Sequence, residues 1–226
     1  MNILVTGGAG YIGSVIVARL VGQHRVFVYD NLSTGFKELI HPQATFIEND
    51  ILDLKALDKA MRDHAIELVI HCAAKIVVPE SVEKPLEYFQ TNVGGTLNVI
   101  EAMRNNHVQN IIFSSTAAVY GEPQTIPVQE DDIKQPCNPY GQSKLTDEFV
   151  ITSAAKTYGF NYVIFRFFNV AGAADAGQYG MMKKNPTLLI PAINKAIMAH
   201  NIPAVYGDHY QTKDGTCLRD YVHVED

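Results

Sequence analysis

Short, uninterrupted apolar runs alternate with longer stretches of helical period along most of this chain. That alternation leaves few folds open. Ile3-Leu4-Val5, Val26–Tyr29, Ala44–Ile47, Leu68–Ile70, Ile111–Phe113 and Tyr162–Phe165 read as strands. They show no polar alternation, as expected of strands covered on both faces. Tyr11–Val21, Leu54–His64, Pro85–Asn105 and Pro139–Tyr158 read as the intervening helices. In the third of these, Leu86, Phe89, Val93, Leu97, Ile100 and Met103 recur at helical spacing. Repeated strand–helix units specify an α/β fold, a doubly wound parallel sheet of the Rossmann type. The rhythm changes after Phe168. Gly172–Asn185 reads as loop, Leu188–Ala199 as a helix, and Ala204–Tyr206 and Tyr221–Val224 as short strands. These pieces are too few for a domain with its own core, so residues 169–226 read as a partial second lobe after a domain over 1–168.

Composition removes several function classes. Across 226 residues, 47% are hydrophobic and 19% charged, which suits a globular chain and not a disordered one. The net charge is −6 and no Lys/Arg run exists, so nucleic acid is not an expected partner. No apolar stretch is long enough to span a membrane. The opening Met1-Asn2-Ile3-Leu4 has no basic region and no signal-peptide pattern. Cys72, Cys137 and Cys217 lie far apart with no Cys-x-x-Cys, so neither a disulfide framework nor a thiolate zinc site is expected. The expected compartment is reducing and cytoplasmic. The eight histidines offer no defensible ligand set, so no metal is expected.

Gly7-Gly8-Ala9-Gly10-Tyr11-Ile12-Gly13 lies between the first strand and the first helix. Gly7 permits a sharp turn. Gly10 lets a pyrophosphate approach the helix N-terminus, where N–H groups and the dipole favour anions. Gly13 lets the helix pack close to the sheet. Asp30 ends the second strand, where a carboxylate can accept from an adenosine ribose and repels a 2′-phosphate, favouring NAD over NADP. Asp50-Ile51 follows the third strand and could hold an adenine; capping the helix that starts at Leu54 is an equally good reading of Asp50. Cys72, Ala73, Ala74 and Lys75 follow the fourth strand, where small residues leave room for a cofactor. His71 and Cys72 read most simply as buried strand-end residues.

The fifth strand ends in Ser114-Ser115-Thr116, and the next helix carries Tyr140-Gly141-Gln142-Ser143-Lys144. Tyr140 and Lys144 are i and i+4 and share one helix face. A tyrosine acting as base near neutral pH needs its pKa lowered by roughly 3 units from about 10. A nearby ammonium and a cationic nicotinamide both stabilise phenolate. Thr116 can hydrogen-bond the same substrate hydroxyl. A second Tyr-x-x-x-Lys, Tyr179 with Lys183, sits in the Gly-rich loop, where the two need not face together.

Together these motifs resemble the extended short-chain dehydrogenase/reductase superfamily, and within it the branch that epimerises C4 of UDP-hexoses. Asp30-Asn31-Leu32-Ser33-Thr34-Gly35, Glu80–Leu86, Asn92–Thr96, Arg166-Phe167-Phe168-Asn169 and Asp214–Tyr221 carry the resemblance along the whole chain. It implies an NAD-binding domain over 1–168 and part of a nucleotide-sugar-binding lobe over 169–226. It implies that Tyr140 takes the 4-hydroxyl proton of UDP-galactose or UDP-glucose, that a 4-keto sugar forms transiently, and that hydride returns on the other face. Lys144 would bind the nicotinamide ribose and tune Tyr140. Gly7, Gly10, Tyr11, Ile12, Gly13, Asp30, Asn31, Leu32, Ser33, Thr34, Gly35, Ser114, Thr91, Asn92 and Phe168 would lie near NAD. Asn169 and Arg219 would contact the nucleotide sugar, Arg219 countering diphosphate charge. A homodimer through the two long helices is implied as well.

Three departures stand out. Thr116 occupies a position where many members have serine, and its hydroxyl keeps the role. Thr187-Leu188-Leu189 replaces an Asn or His that would face the nucleotide. The family's lobe continues beyond the equivalent of Asp226, so a chain of this extent is expected to hold NAD weakly and turn over poorly. A 4,6-dehydratase would need an acid pair after Thr116, where Ala117-Ala118 stand. A decarboxylase has no distinct signal. A non-catalytic NAD-binding protein has no need of Tyr140, Lys144 and Thr116 together.

Overall fold

A computed structural model describes residues 1–174, 177–182, 188–205 and 207–226. The chain divides into two compact units, Met1–Phe167 and Phe168–Asp226. In the first, β1 (Asn2–Thr6), α1 (Tyr11–Leu20), β2 (Arg25–Asp30), β3 (Thr45–Glu48), α2 (Leu54–Asp63) and β4 (Leu68–His71) follow in order. Then come α3 (Val78–Glu83), α4 (Pro85–Tyr88), α5 (Gly95–Asn105), β5 (Asn110–Thr116), α6 (Pro139–Tyr158) and β6 (Asn161–Phe167). The six strands form one sheet in the order β3-β2-β1-β4-β5-β6, parallel at every pairing. This is the doubly wound class that the apolar runs specify.

Strand residues alternate between two cores. Leu4, Phe27, Tyr29, Val69, Ile111 and Phe113 pack on one face with Leu57, Met61, Ile100, Met103 and Ile151 from α2, α5 and α6. Ile3, Val5, Val26, Val28 and Ile70 pack on the other with Val17 of α1. Both faces of β1, β2 and β4 are covered, which is why these strands carry no polar alternation, whereas Tyr162, Val163 and Phe165 of β6 are exposed. Helix ends follow side-chain chemistry. Asn138 caps α6 through the Gly141 N–H at 2.8 Å, Pro139 starts it, and Gly159 stops it at φ +79°.

The expected helix over Pro85–Asn105 is helical throughout, but its hydrogen bonding widens in the middle. α4 runs into a π-helical stretch, Phe89–Gly94, before α5 begins. The wider turn changes which residues face inward. Ile100 and Met103 are buried, whereas Leu86 is 82% and Leu97 50% exposed. The apolar spacing continues through this region, but the backbone period does not. The sequence reading also leaves out α3, which has Pro79 in its first turn and ends just before Pro85.

In the second unit, β7 (Asn169–Ala171) pairs in parallel with β8 (Tyr221–His223), and α7 spans Leu189–Met198. The expected strand at Ala204–Tyr206 does not form at Ala204 or Val205, and Tyr206 is outside the described residues. Val205 is 77% exposed, so apolar character there finds no sheet to join. No helix among the described residues is long and apolar enough to cross a membrane.

A buried ion pair ties α6 to the edge strand β6. The Arg166 Nε donates to Glu148 Oε1 at 2.9 Å and Nη2 to Oε2 at 2.7 Å. Nη1 reaches Tyr120 Oη and Glu130 O, and Ser115 Oγ donates to Glu148. Removing one partner strands a buried charge, which costs more than the pair contributes. Arg166→Met is expected to lower unfolding free energy by about 3 kcal/mol in urea denaturation. A loss below about 1 kcal/mol, the range of an exposed pair, would contradict this.

Candidate active site

β1 and β4 end side by side. Thr6 and His71 are register partners, and Thr6 Oγ1 lies 2.6 Å from His71 Nδ1. The strand order reverses here, because β2 and β3 lie beyond β1 while β5 and β6 lie beyond β4. In such sheets the crevice outside the strand carboxyl ends is where a ligand fits.

The glycine loop enters that crevice. Gly7 has φ +72°, and a Cβ on it would sit 2.6 Å from the Ala73 N after β4. A Cβ on Gly13 would sit 2.2 Å from Gly7 O. Gly10 differs: a Cβ there would meet only Gly7 O at 3.2 Å, so its outer side is open. Gly10 is also the N-cap of α1 and gives it no side-chain cap. An uncapped helix N-terminus behind a bare glycine suits a pyrophosphate, so these residues fit a dinucleotide. Tyr11 and Ile12 are the first residues of α1, half-buried.

Asp30 sits where the motif requires, and it also has a structural task. Its Oδ2 accepts from the Ala9 N–H at 3.0 Å and its Oδ1 from the Leu32 N–H at 2.8 Å. The carboxylate thus clamps the glycine loop to the following turn. A Cβ on Gly35 would crowd Asp30 Oδ1 at 2.9 Å. Burial raises the Asp30 pKa, against the two backbone hydrogen bonds. A carboxylate has about four acceptor sites, so capacity for a ribose remains. Asn31 Nδ2 donates to Asp50 Oδ2, and Asn31 Oδ1 accepts from the Ser33 N–H. Thr34 lies in the same turn.

Asp50 is not the cap of α2. Asp53 is, accepting from the Ala56 N–H at 3.0 Å. Asp50 instead accepts from Leu52 N and Asn31 Nδ2, and Ile51 is buried beside Gly95. After β4, Ala73 and Ala74 are half-buried. Burial pushes the Cys72 thiol up to about 12, the Lys144 charge opposing, so it stays protonated. Lys75 Nζ pairs with Glu87 at 2.6 Å and Glu80 at 3.5 Å. Asn92 is buried and bridges elements: it accepts from Lys75 N, and donates to Lys75 O and Ser143 Oγ. Thr91 and Asn92 lie in the π-helical stretch, a backbone feature common at functional sites.

The reacting groups come from β5 and α6. Ser114 and Thr116 are half-buried at the end of β5. Thr116 ends β5 and Tyr140 lies in the first turn of α6, close enough for the Thr116 hydroxyl to pull the Tyr140 pKa down. Lys144 is 2% exposed, with Nζ 3.9 Å from the Phe113 ring centroid. The chain alone does not lower Tyr140. Burial raises its pKa, the Thr116 hydroxyl opposes this, and the Asp147 charge adds to the rise. The Lys144 charge that would stabilise a phenolate is itself disfavoured in the chain alone. Burial lowers the Lys144 pKa itself, and its charge neighbours are Asp147, Cys72 and Glu148.

Asp147 carries no motif, and only its spacing marks it: three residues after Lys144 and seven after Tyr140, on the same helix face. It is 1% exposed, and neither carboxylate oxygen has a hydrogen-bond partner. Burial holds it up at about 6, with Lys144 and Thr96 pulling down and Glu148 pushing up.

In the second unit, Phe168 is 46% exposed and Arg219 is exposed, while Asn169 donates Nδ2 to Asp220 O at 2.8 Å. The second Tyr-x-x-x-Lys copy cannot be placed, since Lys183 lies outside the described residues, as does Thr187. Among the described residues, no group of three His, Cys, Asp or Glu is placed to hold a metal ion.

Residues 3–226 match the NAD dependent epimerase/dehydratase family. A UDP-glucose 4-epimerase of Azospirillum brasilense is 44% identical over the whole chain, which spans 65% of that protein's length. The crystal structure of a UDP-glucose 4-epimerase from Brucella ovis in complex with NAD is 45% identical, with a TM-score of 0.94 over 99% of this chain and 69% of that one. The UDP-glucose 4-epimerase from Bifidobacterium longum, in complex with NAD+ and UDP, is 34% identical with a TM-score of 0.93 over 100% of this chain and 71% of that one.

The Asp147 carboxyl sets a pH signature. It releases its proton near 6 when folded and near 3.9 when unfolded. The fold therefore gains from the protonated form, and that gain is lost as pH rises from about 4 through 6. Relative to Asp147→Asn, the unmutated chain is expected to lose on the order of 3 kcal/mol of stability between pH 4 and pH 7. Parallel stability–pH curves for the two proteins would contradict this.

Proposed function

The chain belongs to the NAD dependent epimerase/dehydratase family, and from that premise we propose that it interconverts UDP-galactose and UDP-glucose at C4 with NAD held as cofactor. The observation that carries this reading is the open glycine cradle after β1, with Thr116 ending β5 at the same sheet edge and Lys144 buried one turn after Tyr140 on α6. The relatives named above, a UDP-glucose 4-epimerase with NAD and another with NAD+ and UDP, support the substrate class.

The N–H groups at the start of α1 hold the pyrophosphate, Asp30 accepts from the adenosine ribose, and Asp50 and Ile51 border the adenine. Asn31, Leu32, Ser33, Thr34 and Gly35 shape the turn beneath that ribose. Cys72, Ala73, Ala74, Lys75, Thr91, Asn92, Ser114 and Phe168 line the rest of the cofactor's path. When bound, NAD supplies a hydride acceptor for the sugar C4 and a donor for the return. Thr116 orients the 4-hydroxyl, and Tyr140 Oη takes its proton and later gives it back. Ionising a buried phenol requires positive charge beside it, and Lys144 is the residue that brings one. Residues 1–168 form the NAD-binding part and 169–226 part of the nucleotide-sugar lobe, where Asn169 and Arg219 meet the UDP-sugar.

The same reading makes the protein a cytoplasmic homodimer. Cys72, Cys137 and Cys217 are all free thiols. Leu86, Leu97 and Phe149 are 82%, 50% and 63% exposed on α4, α5 and α6, an apolar surface that a second copy would cover.

Incubation with UDP-galactose and NAD is expected to give UDP-glucose without net NADH. Tyr140→Phe is expected to cut kcat by about 10²–10⁴-fold while NAD binding stays within about twofold, the range for loss of a general base. Binding of NAD with no sugar conversion would overturn the epimerase assignment.

A further inference from the structure

Thr6 and His71 at the sheet edge, Thr96 of α5 and Asp147 of α6 form a run of buried polar side chains. The Thr6 Oγ1 accepts from the Ala73 N–H at 3.5 Å and shares a hydrogen bond with His71 Nδ1 at 2.6 Å. His71 is 1% exposed and held neutral, its pKa pushed down to about 3 by burial and then by the Lys144 charge. Nε2 of the ring shares a second hydrogen bond with Thr96 Oγ1 at 3.1 Å. The Thr96 hydroxyl pulls the Asp147 pKa down, yet the Asp147 oxygens complete no hydrogen bond of normal geometry. An isolated buried carboxylate is costly, so its charge needs a nearby cation.

We infer that Asp147, buried three residues after Lys144 on the same helix face with both oxygens unpaired, is the counter-ion of Lys144 and a positioning residue for the reaction. This rests on the epimerase reading for its catalytic meaning, though not for its electrostatics. Every element around Lys144 is accounted for. Phe113 of β5 lies under the ammonium, His71 and Cys72 face it from β4 and the loop beyond, and Asp147 and Glu148 flank it on α6. Glu148 is already committed to Arg166. His71 and Cys72 both stay uncharged near neutral pH. Asp147 is therefore the free negative charge that keeps Lys144 an ammonium in a site that disfavours one. Lys144 in turn supplies the charge that a Tyr140 phenolate needs.

The test reads Lys144 directly. The full chain is labelled with 13Cε-lysine, the Lys144 signal is assigned by comparison with Lys144→Met, and its pH titration is followed by NMR. In Asp147→Asn the midpoint is expected to fall by at least one pH unit, about tenfold in proton affinity. A midpoint within 0.3 units of the unmutated chain, roughly twofold, would overturn the inference. If Asp147→Asn does not fold, Asp147→Ser is read by the same Lys144 midpoint: the same fall is expected, and its absence would overturn the inference. A chain with a shifted Lys144 but no epimerase activity would sink the proposed reaction and leave the counter-ion standing. An active chain with an unshifted Lys144 would do the reverse.

Discussion

The contact between Thr6 and His71, where β1 and β4 end together, organises what lies beyond it. It marks the place where the strand order reverses, and the two chains leaving it must part around a crevice. They leave at very close range, since a single added carbon on Gly7 would overlap Ala73. The glycines are therefore needed twice, for the fold's own packing at Gly7 and Gly13 and for ligand approach at Gly10. A glycine-to-alanine change at the first two would be a packing injury before it was a binding one.

The same contact begins the polar interior. A doubly covered parallel sheet offers little room for polar groups, yet α6 buries Ser143, Lys144, Asp147 and Glu148 along one face. Each has a different solution to desolvation. Ser143 bonds Asn92 and the Tyr140 carbonyl, and Glu148 bonds Arg166 and Ser115. Lys144 and Asp147 face each other's fields without a completed hydrogen bond. In a chain that satisfies most of its buried polar side chains, that incompleteness is a cost to stability.

Much of this was legible in the sequence, and the limits have identifiable causes. The six strands and the helices α1, α2 and α6 follow from apolar runs, caps and glycine positions; burial agrees with those signals at β1, β2 and β4, while β6 keeps its apolar run with Tyr162, Val163 and Phe165 exposed. Pro85–Asn105 reads as one helix because hydrophobic spacing survives a π-helical turn that the backbone introduces. The Asp50 capping alternative fails by three residues, since Asp53 is the acidic residue directly before α2. The placement of Thr116 at the end of β5 and of Tyr140 in the first turn of α6 follows from the sequence pattern. The electrostatics do not, because whether Lys144 acts as a full charge depends on burial and on Asp147, and neither is written in a Tyr-x-x-x-Lys spacing. The short strands of the second unit were half legible: Tyr221–His223 finds β7 as a partner, and Ala204-Val205 finds none.

The central claim is that Tyr140 moves only the hydroxyl proton, while the hydrogen on the sugar carbon leaves and returns within the site. The most direct measurement follows deuterium placed on C4 of UDP-galactose through conversion in ordinary water. The account predicts that the UDP-glucose formed keeps the deuterium at C4. Replacement of that deuterium by solvent hydrogen would mean that the carbon-bound hydrogen leaves as a proton, and would contradict it.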